Sequence, residues 1–289
     1  MSATLAYLRL FVRDIRIEHT LFALPFAYVG AVLGARGLPT FAQFVWITLA
    51  VAGARTAAMA ANRYFDRGID ARNPRTAKRP TASGALPVFV MPVAIAGGLI
   101  VTLVAAWNLN PLCVALLPLA ALALLIYPLC KRFTWSAHFV LGAVDGLAPL
   151  GAFIAVTGTV TLPAILLFIA VTVWVAGFDV LYALMDYDVD RSENLRSIPV
   201  RFGIDAGRRV SLILHVVMAL ALWLAGILSG ATPAYFAGVG LAVLLVVYES
   251  RLIRFATDIF TLNDRILATN MAFSVAFLMT TLVSYTLKL

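Results

Sequence analysis

Long apolar stretches of about 20 residues follow one another along nearly the whole chain, separated by short polar segments. A helix needs about 20 apolar residues to cross the hydrocarbon core of a bilayer. Taking Pro, Gly and clustered charges as span ends, we predict nine transmembrane helices in a single all-α domain covering residues 1–289. They lie at 19–35, 40–62, 88–107, 111–130, 135–156, 161–186, 209–229, 233–250 and 266–287.

The composition supports a polytopic membrane protein. Hydrophobic side chains make up 62% of the 289 residues and the mean hydropathy is +0.96, whereas soluble domains are roughly 45–50% apolar. These values exclude a soluble domain attached to the membrane by a single transmembrane anchor. Cys113 and Cys130 share one apolar run, and we interpret both as packing residues, not as part of a disulfide framework or zinc site.

Basic residues are distributed unevenly between the two predicted sides of the membrane. With the N-terminus inside and the C-terminus outside, 19 of the 22 basic residues fall on the inner side. Only Arg36 and Lys288 lie outside, and Arg55 lies within a span. Because cytoplasmic loops are enriched in Lys and Arg, we predict this orientation in the inner or plasma membrane. The net charge of +8 then reflects topology and not nucleic-acid binding, and no protein partner is implied.

The N-terminal segment places Arg9, Arg13 and Arg16 on one helical face, with apolar residues around the rest. Two interpretations remain open. The segment either lies in the membrane interface or forms a solvated basic cap on the first span.

Two predicted inner loops are long, at 63–87 and 187–208, and they follow the second and sixth spans. Each has acidic residues at its start and a basic stretch afterwards. This spacing indicates two four-helix halves plus one extra helix around a central cavity, with a site built between the halves. We therefore expect an active site that faces the cytoplasm.

The first acidic motif contains Asn62, Asp66 and Asp70. At about 100° per residue, these three side chains fall within about 80° of one another on a helix. One helical face therefore carries all three oxygen ligands.

The second motif contains Asp179, Asp186 and Asp190, which fall within about 40° of one another by the same geometry. Tyr182 lies about 60° to one side, whereas Asp188 points about 180° away. We expect Asp188 to be merely solvated.

Aligned carboxylates at the ends of membrane helices repel one another and oppose the helix dipole. A bound cation would relieve both effects. Oxygen ligands without nearby His or Cys favour a hard ion, and Mg2+ characteristically bridges one or two carboxylates to substrate phosphates. The loops after the motifs supply basic residues for an anion. The sequence thus predicts Mg2+ and a diphosphate, bound with the help of Arg67, Arg75, Arg79 and Arg196.

Over essentially its full length the chain resembles the UbiA superfamily of intramembrane prenyltransferases. The resemblance rests on Asn62-xxx-Asp66-xxx-Asp70, continued by Asn73-Pro74-Arg75-Thr76-xx-Arg79-Pro80, and on Asp179-xx-Tyr182-xxx-Asp186-xxx-Asp190. The segment from His19 to Ala27 and the pair Lys131-Arg132 resemble the 4-hydroxybenzoate polyprenyltransferase branch or its menaquinone-pathway relatives. Many members carry a second aspartate directly after the motif asparagine, where this chain has Arg63.

The resemblance implies that both motifs hold Mg2+ on the diphosphate of an allylic donor, with Asp179 nearer the acceptor. Ionisation of the donor leaves a carbocation, which an electron-rich ring attacks while diphosphate is released. The ring faces of Tyr182 and Phe178 are placed to stabilise that cation, with helix packing as the alternative. The acceptor expected for this branch is an aromatic acid of quinone biosynthesis.

Several other polar residues have two open interpretations. Arg55 lies deep in a span, and we expect it to bind a substrate anion. The alternatives are that it pairs with Asp179 or that its side chain extends toward the membrane interface. Lys131 and Arg132 are either an ordinary positive-inside flank or substrate-binding residues, and the resemblance implies that Arg132 meets the acceptor carboxylate. His138 and Asp145 are seven residues apart and share a helical face. They are either a buried pair that satisfies its own polar groups or catalytic groups.

Two functional alternatives remain at this point. If the protein is a prenyltransferase, the alternatives to an aromatic acid as acceptor are a naphthoate, haem, chlorophyllide and glycerol phosphate. Outside it, a cation-coupled transporter also has repeated halves and intramembrane aspartates. A transporter would concentrate its carboxylates near the midplane, whereas here only Asp145 suits that position.

Overall fold

The computed structural model describes residues 3–16, 20–255 and 259–287, and throughout these residues the regular structure is helical, without strands. In hydrocarbon a helix satisfies its own backbone N–H and C=O groups, which favours this architecture for so apolar a chain. His19, used in the resemblance, and Lys288, used in the charge distribution, lie outside the described residues.

The helices are numbered in chain order. They are α1 (Ala3–Asp14), α2 (Thr20–Ala35), α3 (Phe41–Arg72), α4 (Val90–Leu109), α5 (Pro111–Ile126), α6 (Ala137–Thr157), α7 (Leu162–Met185), α8 (Tyr187–Ser192), α9 (Ile198–Phe202), α10 (Ile204–Ser229), α11 (Pro233–Phe255) and α12 (Ile259–Thr286). A 3-10 helix, Tyr127–Arg132, continues α5.

The predicted fold class is confirmed. The predicted spans correspond to α2 through α7 and α10 through α12, and eight helices among the described residues are long and apolar enough to cross a membrane. The first predicted span corresponds to α2, whose described apolar part, Ala23–Ala35, is shorter. The count of nine spans therefore stays a prediction.

The largest difference from the predicted boundaries is in α3, which runs to Arg72 instead of ending at residue 62. A cluster of charges marks the end of the hydrocarbon but does not stop a helix, so α3 carries the whole first motif. It ends at Asn73, which has extended backbone angles and precedes Pro74. A residue before proline is disfavoured in the α conformation, which accounts for the stop.

The loop predicted at 187–208 is also partly helical. It contains the short helices α8 and α9, and α10 begins five residues earlier than predicted, at Ile204. The backbone N–H of Asp190 still donates to the carbonyl of Asp186 at 2.7 Å, so one helical turn follows the end of α7. The periodicity used for the second motif therefore holds through the junction.

Neighbouring helices pack side by side around the molecule. α3 packs on α4, α6 packs on both α2 and α7, α7 packs on α10, and α12 returns to α2. A Cβ atom on Gly142 of α6 would overlap the carbonyl oxygen of Thr172 on α7, and one on Gly30 of α2 would overlap that of Pro149 on α6. Glycine at these crossings lets the backbones approach closely.

The loops that follow α3, α5 and α7 meet at one end of the helix bundle. Arg72 pairs with Glu193 through two hydrogen bonds of 2.7 and 2.6 Å, and the backbone N–H of Arg196 donates to the carbonyl of Lys131 at 2.7 Å. The ends of the helices that carry both acidic motifs are thus fastened together. The side of the membrane that this end faces stays a prediction.

Candidate active site

The first motif is assembled on one face of α3, as its spacing predicts. The Asn62 side-chain amide donates to Asp66 Oδ2 at 3.0 Å. One turn later, Asp70 Oδ2 accepts from Arg79 Nη1 at 2.7 Å. The hydroxyl of Thr76 donates to the Asp70 backbone carbonyl at 2.9 Å, which folds the loop after α3 back onto the motif.

The second motif spans the junction between α7 and α8. Asp190 is buried, whereas Asp188 is exposed, as the helical geometry predicts. One oxygen of the Asp190 carboxylate, Oδ2, is buried without a hydrogen-bond partner among the described residues. Burial and the neighbouring Asp186 carboxylate raise the pKa of Asp190, so a bound cation would relieve an unfavourable charge here.

Residues that follow the first motif bind the second motif directly. Arg75 donates to both oxygens of Asp186, at 2.9 and 2.6 Å, in a bidentate pair. The side-chain amide of Asn73 lies 3.5 Å from the same carboxylate. This contact brings the two acidic motifs, more than 100 residues apart in the chain, to one site.

Both motifs line a single cavity of about 300 Å³. Most of the predicted site residues contribute to its wall. They are Arg55, Asn62, Asp66, Asp70, Arg75, Arg79, Lys131, Arg132, Asp179, Tyr182, Asp186 and Asp190.

Arg67 and Arg196 do not contribute to this wall. The Arg67 guanidinium lies 4.8 Å from the centre of the Tyr64 ring and donates to the Tyr64 carbonyl at 2.6 Å. Arg196 donates to the Phe133 carbonyl at 2.7 Å, and both arginines are exposed. The structure therefore places both side chains at the surface, outside the wall of this cavity, and their contribution to diphosphate binding stays a prediction.

Of the two interpretations of His138 and Asp145, the one in which they pair with each other is wrong. His138 Nδ1 lies 2.6 Å from Asp179 Oδ2 on α7, and Asp145 Oδ1 lies 3.3 Å from Arg55 Nη1 on α3. The alternative pairing of Arg55 with Asp179 is wrong for the same reason. Each residue finds its partner on a neighbouring helix.

The surroundings of His138 fix the position of its proton. The backbone N–H of Ile198 donates to His138 Nε2 at 3.2 Å, so this nitrogen is an acceptor and carries no hydrogen. A neutral imidazole then carries its proton on Nδ1, which donates to Asp179. His138, fully buried, thus orients the Asp179 carboxylate and ties α9 to α7.

Arg132 lies beside the first motif. Its Nη2 donates to the Phe65 carbonyl at 2.7 Å and lies 3.4 Å from Asp66 Oδ1. Among the described residues only this nitrogen of Arg132 has a hydrogen-bond partner. Its other N–H groups are therefore available to a ligand in the cavity.

The oxygen-rich lining fits the predicted Mg2+. No three His, Cys, Asp or Glu side chains in the described part of the chain are gathered closely enough to hold a metal ion by themselves. Mg2+ usually takes only one or two protein carboxylates and completes its shell with phosphate oxygens and water. The separate carboxylates of the two motifs, with the unpaired Asp190 oxygen, suit that mode of binding.

Several cavity residues were absent from the predicted set or were left without a role. Tyr127, Asn73, Arg16 and Asp145 also line the cavity. The signal available for Asp145 was a carboxylate within an apolar span. Tyr127, at the end of another apolar run, carries no comparable signal, since aromatic residues are common at membrane interfaces.

A second, largely apolar cavity of about 290 Å³ adjoins the first. It is lined by α2 through α6, and both cavities share Arg55 and Asp145 in their walls. The ion pair between these residues therefore stands where the polar and apolar cavities meet.

Comparison with known proteins agrees with this architecture. The profile of the UbiA prenyltransferase family matches residues 23–258. The chain is 35% identical over 231 residues to the 4-hydroxybenzoate octaprenyltransferase of Alkalilimnicola ehrlichii, covering 78% of this chain and 76% of that protein. It is 34% identical over 237 residues to the enzyme of the same name from Pseudoalteromonas translucida, covering 79% and 78%.

Solved structures show the same fold. The apo structure of a UbiA homologue from Aeropyrum pernix K1 superimposes with a TM-score of 0.84 at 32% identity, covering 92% of this chain and 98% of that chain. A UbiA homologue from Archaeoglobus fulgidus, bound to DMAPP and Mg2+, superimposes with a TM-score of 0.73 at 17% identity, covering 95% and 98%.

These matches extend over most of the chain, and the residues matched by the family profile include both acidic motifs. The chain therefore belongs to the UbiA prenyltransferase family.

Proposed function

We propose that this enzyme transfers a polyprenyl group from an isoprenoid diphosphate to an aromatic acid of the 4-hydroxybenzoate type, in a Mg2+-dependent step of quinone biosynthesis. The observation that carries the proposal is the cavity in which both carboxylate motifs meet Arg75, Arg79 and Arg132. The names of the relatives from Alkalilimnicola ehrlichii and Pseudoalteromonas translucida support the choice of acceptor.

The donor diphosphate would bind among the arginines and carboxylates. Arg75 and Arg79 now donate to Asp186 and Asp70, and the same planar N–H groups suit diphosphate oxygens. Asp66, Asp70, Asp186 and Asp190 would hold Mg2+. When bound, Mg2+ supplies electrostatic stabilisation of the charge that develops on the leaving diphosphate.

In the proposed reaction the allylic C–O bond breaks, and both of its electrons leave with the diphosphate. A ring carbon of the acceptor then forms the new C–C bond, and the ring loses one proton. Tyr182 and Phe178 line the cavity as an edge-to-face pair with ring centres 5.7 Å apart. Their ring faces would stabilise the carbocation until the acceptor attacks it.

Asp179 would orient the acceptor. His138 occupies its Oδ2, which leaves Oδ1 to accept a hydrogen bond from the phenolic hydroxyl and make the ring more electron-rich. The apolar cavity next to Arg55 and Asp145 offers space for isoprene units of the donor. The active site would face the cytoplasm.

The test is purified protein in detergent with Mg2+, geranyl diphosphate and a panel of acceptors, analysed by mass spectrometry. We expect geranylated 4-hydroxybenzoate. If a naphthoate, haem, chlorophyllide or glycerol phosphate is prenylated instead, the proposed acceptor is wrong but the assignment as a prenyltransferase stands. No product from the panel, with Mg2+-driven solute uptake into vesicles, would favour the transporter.

A further inference from the structure

Four polar side chains are buried together in the apolar core, and none of them lines either cavity. They come from four different helices, and they are Trp174 of α7, His215 of α10, Glu249 of α11 and Asn270 of α12. Each is at most 3% exposed. Buried polar groups are costly without partners, and ionisable groups inside a membrane protein mark functional positions. The proposed function leaves this cluster without a role.

Asn270 is the centre of the cluster. Its Oδ1 accepts a hydrogen bond from the Trp174 indole N–H at 2.7 Å. Its amide nitrogen donates to Glu249 Oε1 at 2.5 Å and to the Ile266 carbonyl at 2.8 Å. An indole N–H only donates and a carbonyl only accepts, so these neighbours require the same orientation of the amide. The Trp174 ring is thereby held from α11 and α12.

His215 links the cluster back to α7. Its Nδ1 lies 3.7 Å from Glu249 Oε2. A Cβ atom on Gly177 would lie 2.8 Å from His215 Nε2, so the imidazole lies directly against the α7 backbone at that position. Helix α7 is therefore held at Trp174 by a hydrogen bond and at Gly177 by packing. Gly177 directly precedes Phe178.

Trp174 is the first of three aromatic residues on consecutive turns of α7. Its ring centre lies 5.8 Å from that of Phe178, which in turn lies 5.7 Å from that of Tyr182, with interplanar angles of 85° and 66°. Edge-to-face pairs have a preferred geometry, so the plane of one ring restricts that of the next. Phe178 and Tyr182 line the polar cavity, whereas Trp174 lies behind them in the core. A path of contacts thus runs from Asn270 to the cavity wall.

We propose that Asn270 is a positioning residue for prenyl transfer. Acting through Trp174, it sets how the Phe178 and Tyr182 rings face the carbocation. The inference rests on the proposed function, which supplies that carbocation. Rings held in one orientation stabilise the cation by their faces and keep water from it. When the hydrogen bond to Trp174 is lost, the rings rotate away, and water adds to the carbocation, loses one proton and forms a prenyl alcohol.

The test follows both fates of the donor by mass spectrometry, with purified protein in detergent, Mg2+, geranyl diphosphate and 4-hydroxybenzoate. We expect Asn270→Leu and Trp174→Phe each to lower kcat for geranylated 4-hydroxybenzoate about tenfold, less than the roughly 100-fold that a misplacement of about 1 Å can cost. The share of donor released as geraniol should rise. KM for both substrates should stay close to wild type, because neither residue lines the cavity. The double variant should match the more affected single variant, because both changes act through one indole.

Trp223→Phe is the matched control, since Trp223 lies on α10 and is 47% exposed. It should leave kcat and the geraniol share unchanged. Trp174→Phe keeps an aromatic ring in the core and tests the same contact if Asn270→Leu does not fold by circular dichroism.

An unchanged geraniol share in the folded variants would overturn the inference even if turnover falls, because a purely structural role lowers both products alike. Losses that multiply in the double variant would also overturn it. Absence of both geraniol and geranylated 4-hydroxybenzoate in the wild type would instead contradict the proposed function.

Discussion

Asp186 and Asp188 are two residues apart and have opposite surroundings. Asp186 is paired with Arg75 at the cavity, whereas Asp188 is exposed. We expect Asp186→Ala to lower kcat for prenyl transfer about 100-fold, as loss of an electrostatic contact at a reacting centre does. Asp188→Ala should change kcat little. Equal losses, measured on folded variants, would contradict the assignment of Asp186 to the site.

Arg132 offers a test of the acceptor. Its N–H groups that have no hydrogen-bond partner among the described residues suit a carboxylate in a bidentate geometry that lysine cannot reproduce. We expect Arg132→Lys to raise KM for 4-hydroxybenzoate much more than KM for the prenyl diphosphate, because a lost ground-state contact is felt mainly by its own ligand. Since Arg132 also contacts Asp66, the reverse pattern would assign it to the donor.

At the residue scale the sequence predicts which side chains share a face but not which partner each one finds. The spacing of Asn62, Asp66 and Asp70 follows from the helix period alone. His138 and Asp145 also share a face, yet one binds Asp179 and the other Arg55. Such pairings depend on how α6 packs against α7 and α3. The hydrophobic periodicity of the sequence does not give this packing.

Helix α6 carries two glycines in different surroundings. A Cβ at Gly142 would overlap the backbone of α7 at Thr172, whereas one at Gly151 meets nothing within 4 Å. We expect Gly142→Ala to destabilise the protein by about 1–3 kcal/mol, the usual cost of overpacking. It should also reduce turnover, because it would push His138 away from Asp179.

Gly151→Ala is the control and should leave both the thermal unfolding midpoint and turnover close to those of the wild type. Unfolding is followed in detergent by circular dichroism. Equal midpoints for the two variants would show that the α6 and α7 backbones are not in contact at Gly142.

At the scale of elements, hydropathy identified the spans but not where the helices end. The charges from Arg63 onward marked the membrane boundary, yet α3 continues to Arg72. The Asn73-Pro74 pair is the local stop signal, and it begins eleven residues beyond the predicted end at residue 62. Short helices such as α9, with five residues, depend on packing and leave no clear period in the sequence.

The orientation of the whole molecule can be tested by cysteine labelling. Ser83 and Thr159 are both exposed and lie in loops after α3 and α6 respectively. In a background without Cys113 and Cys130, we expect Ser83→Cys to react only after the membrane is permeabilised. Thr159→Cys should react with an impermeant reagent added outside. The opposite pattern would reverse the predicted topology.

At the scale of the molecule, composition was sufficient for the class, and charge asymmetry gave a specific prediction of topology. The convergence of the motifs was predictable only because each motif is followed by a long basic loop. In the structure, the bidentate contact between Arg75 and Asp186 joins the loop after the first motif to the second motif. The adjoining apolar cavity was not predictable, since it arises from gaps between five packed helices.

The central claim is that both motifs act together, through Mg2+, on one prenyl diphosphate. The most direct measurement is the amount of geranylated 4-hydroxybenzoate and of released diphosphate formed by the purified enzyme, before and after chelation by EDTA and re-addition of Mg2+. We predict equal amounts of the two products, their loss on chelation, and recovery with Mg2+ in the wild type but not in Asp66→Ala or Asp190→Ala. Product formation that survives both chelation and these substitutions would contradict the account.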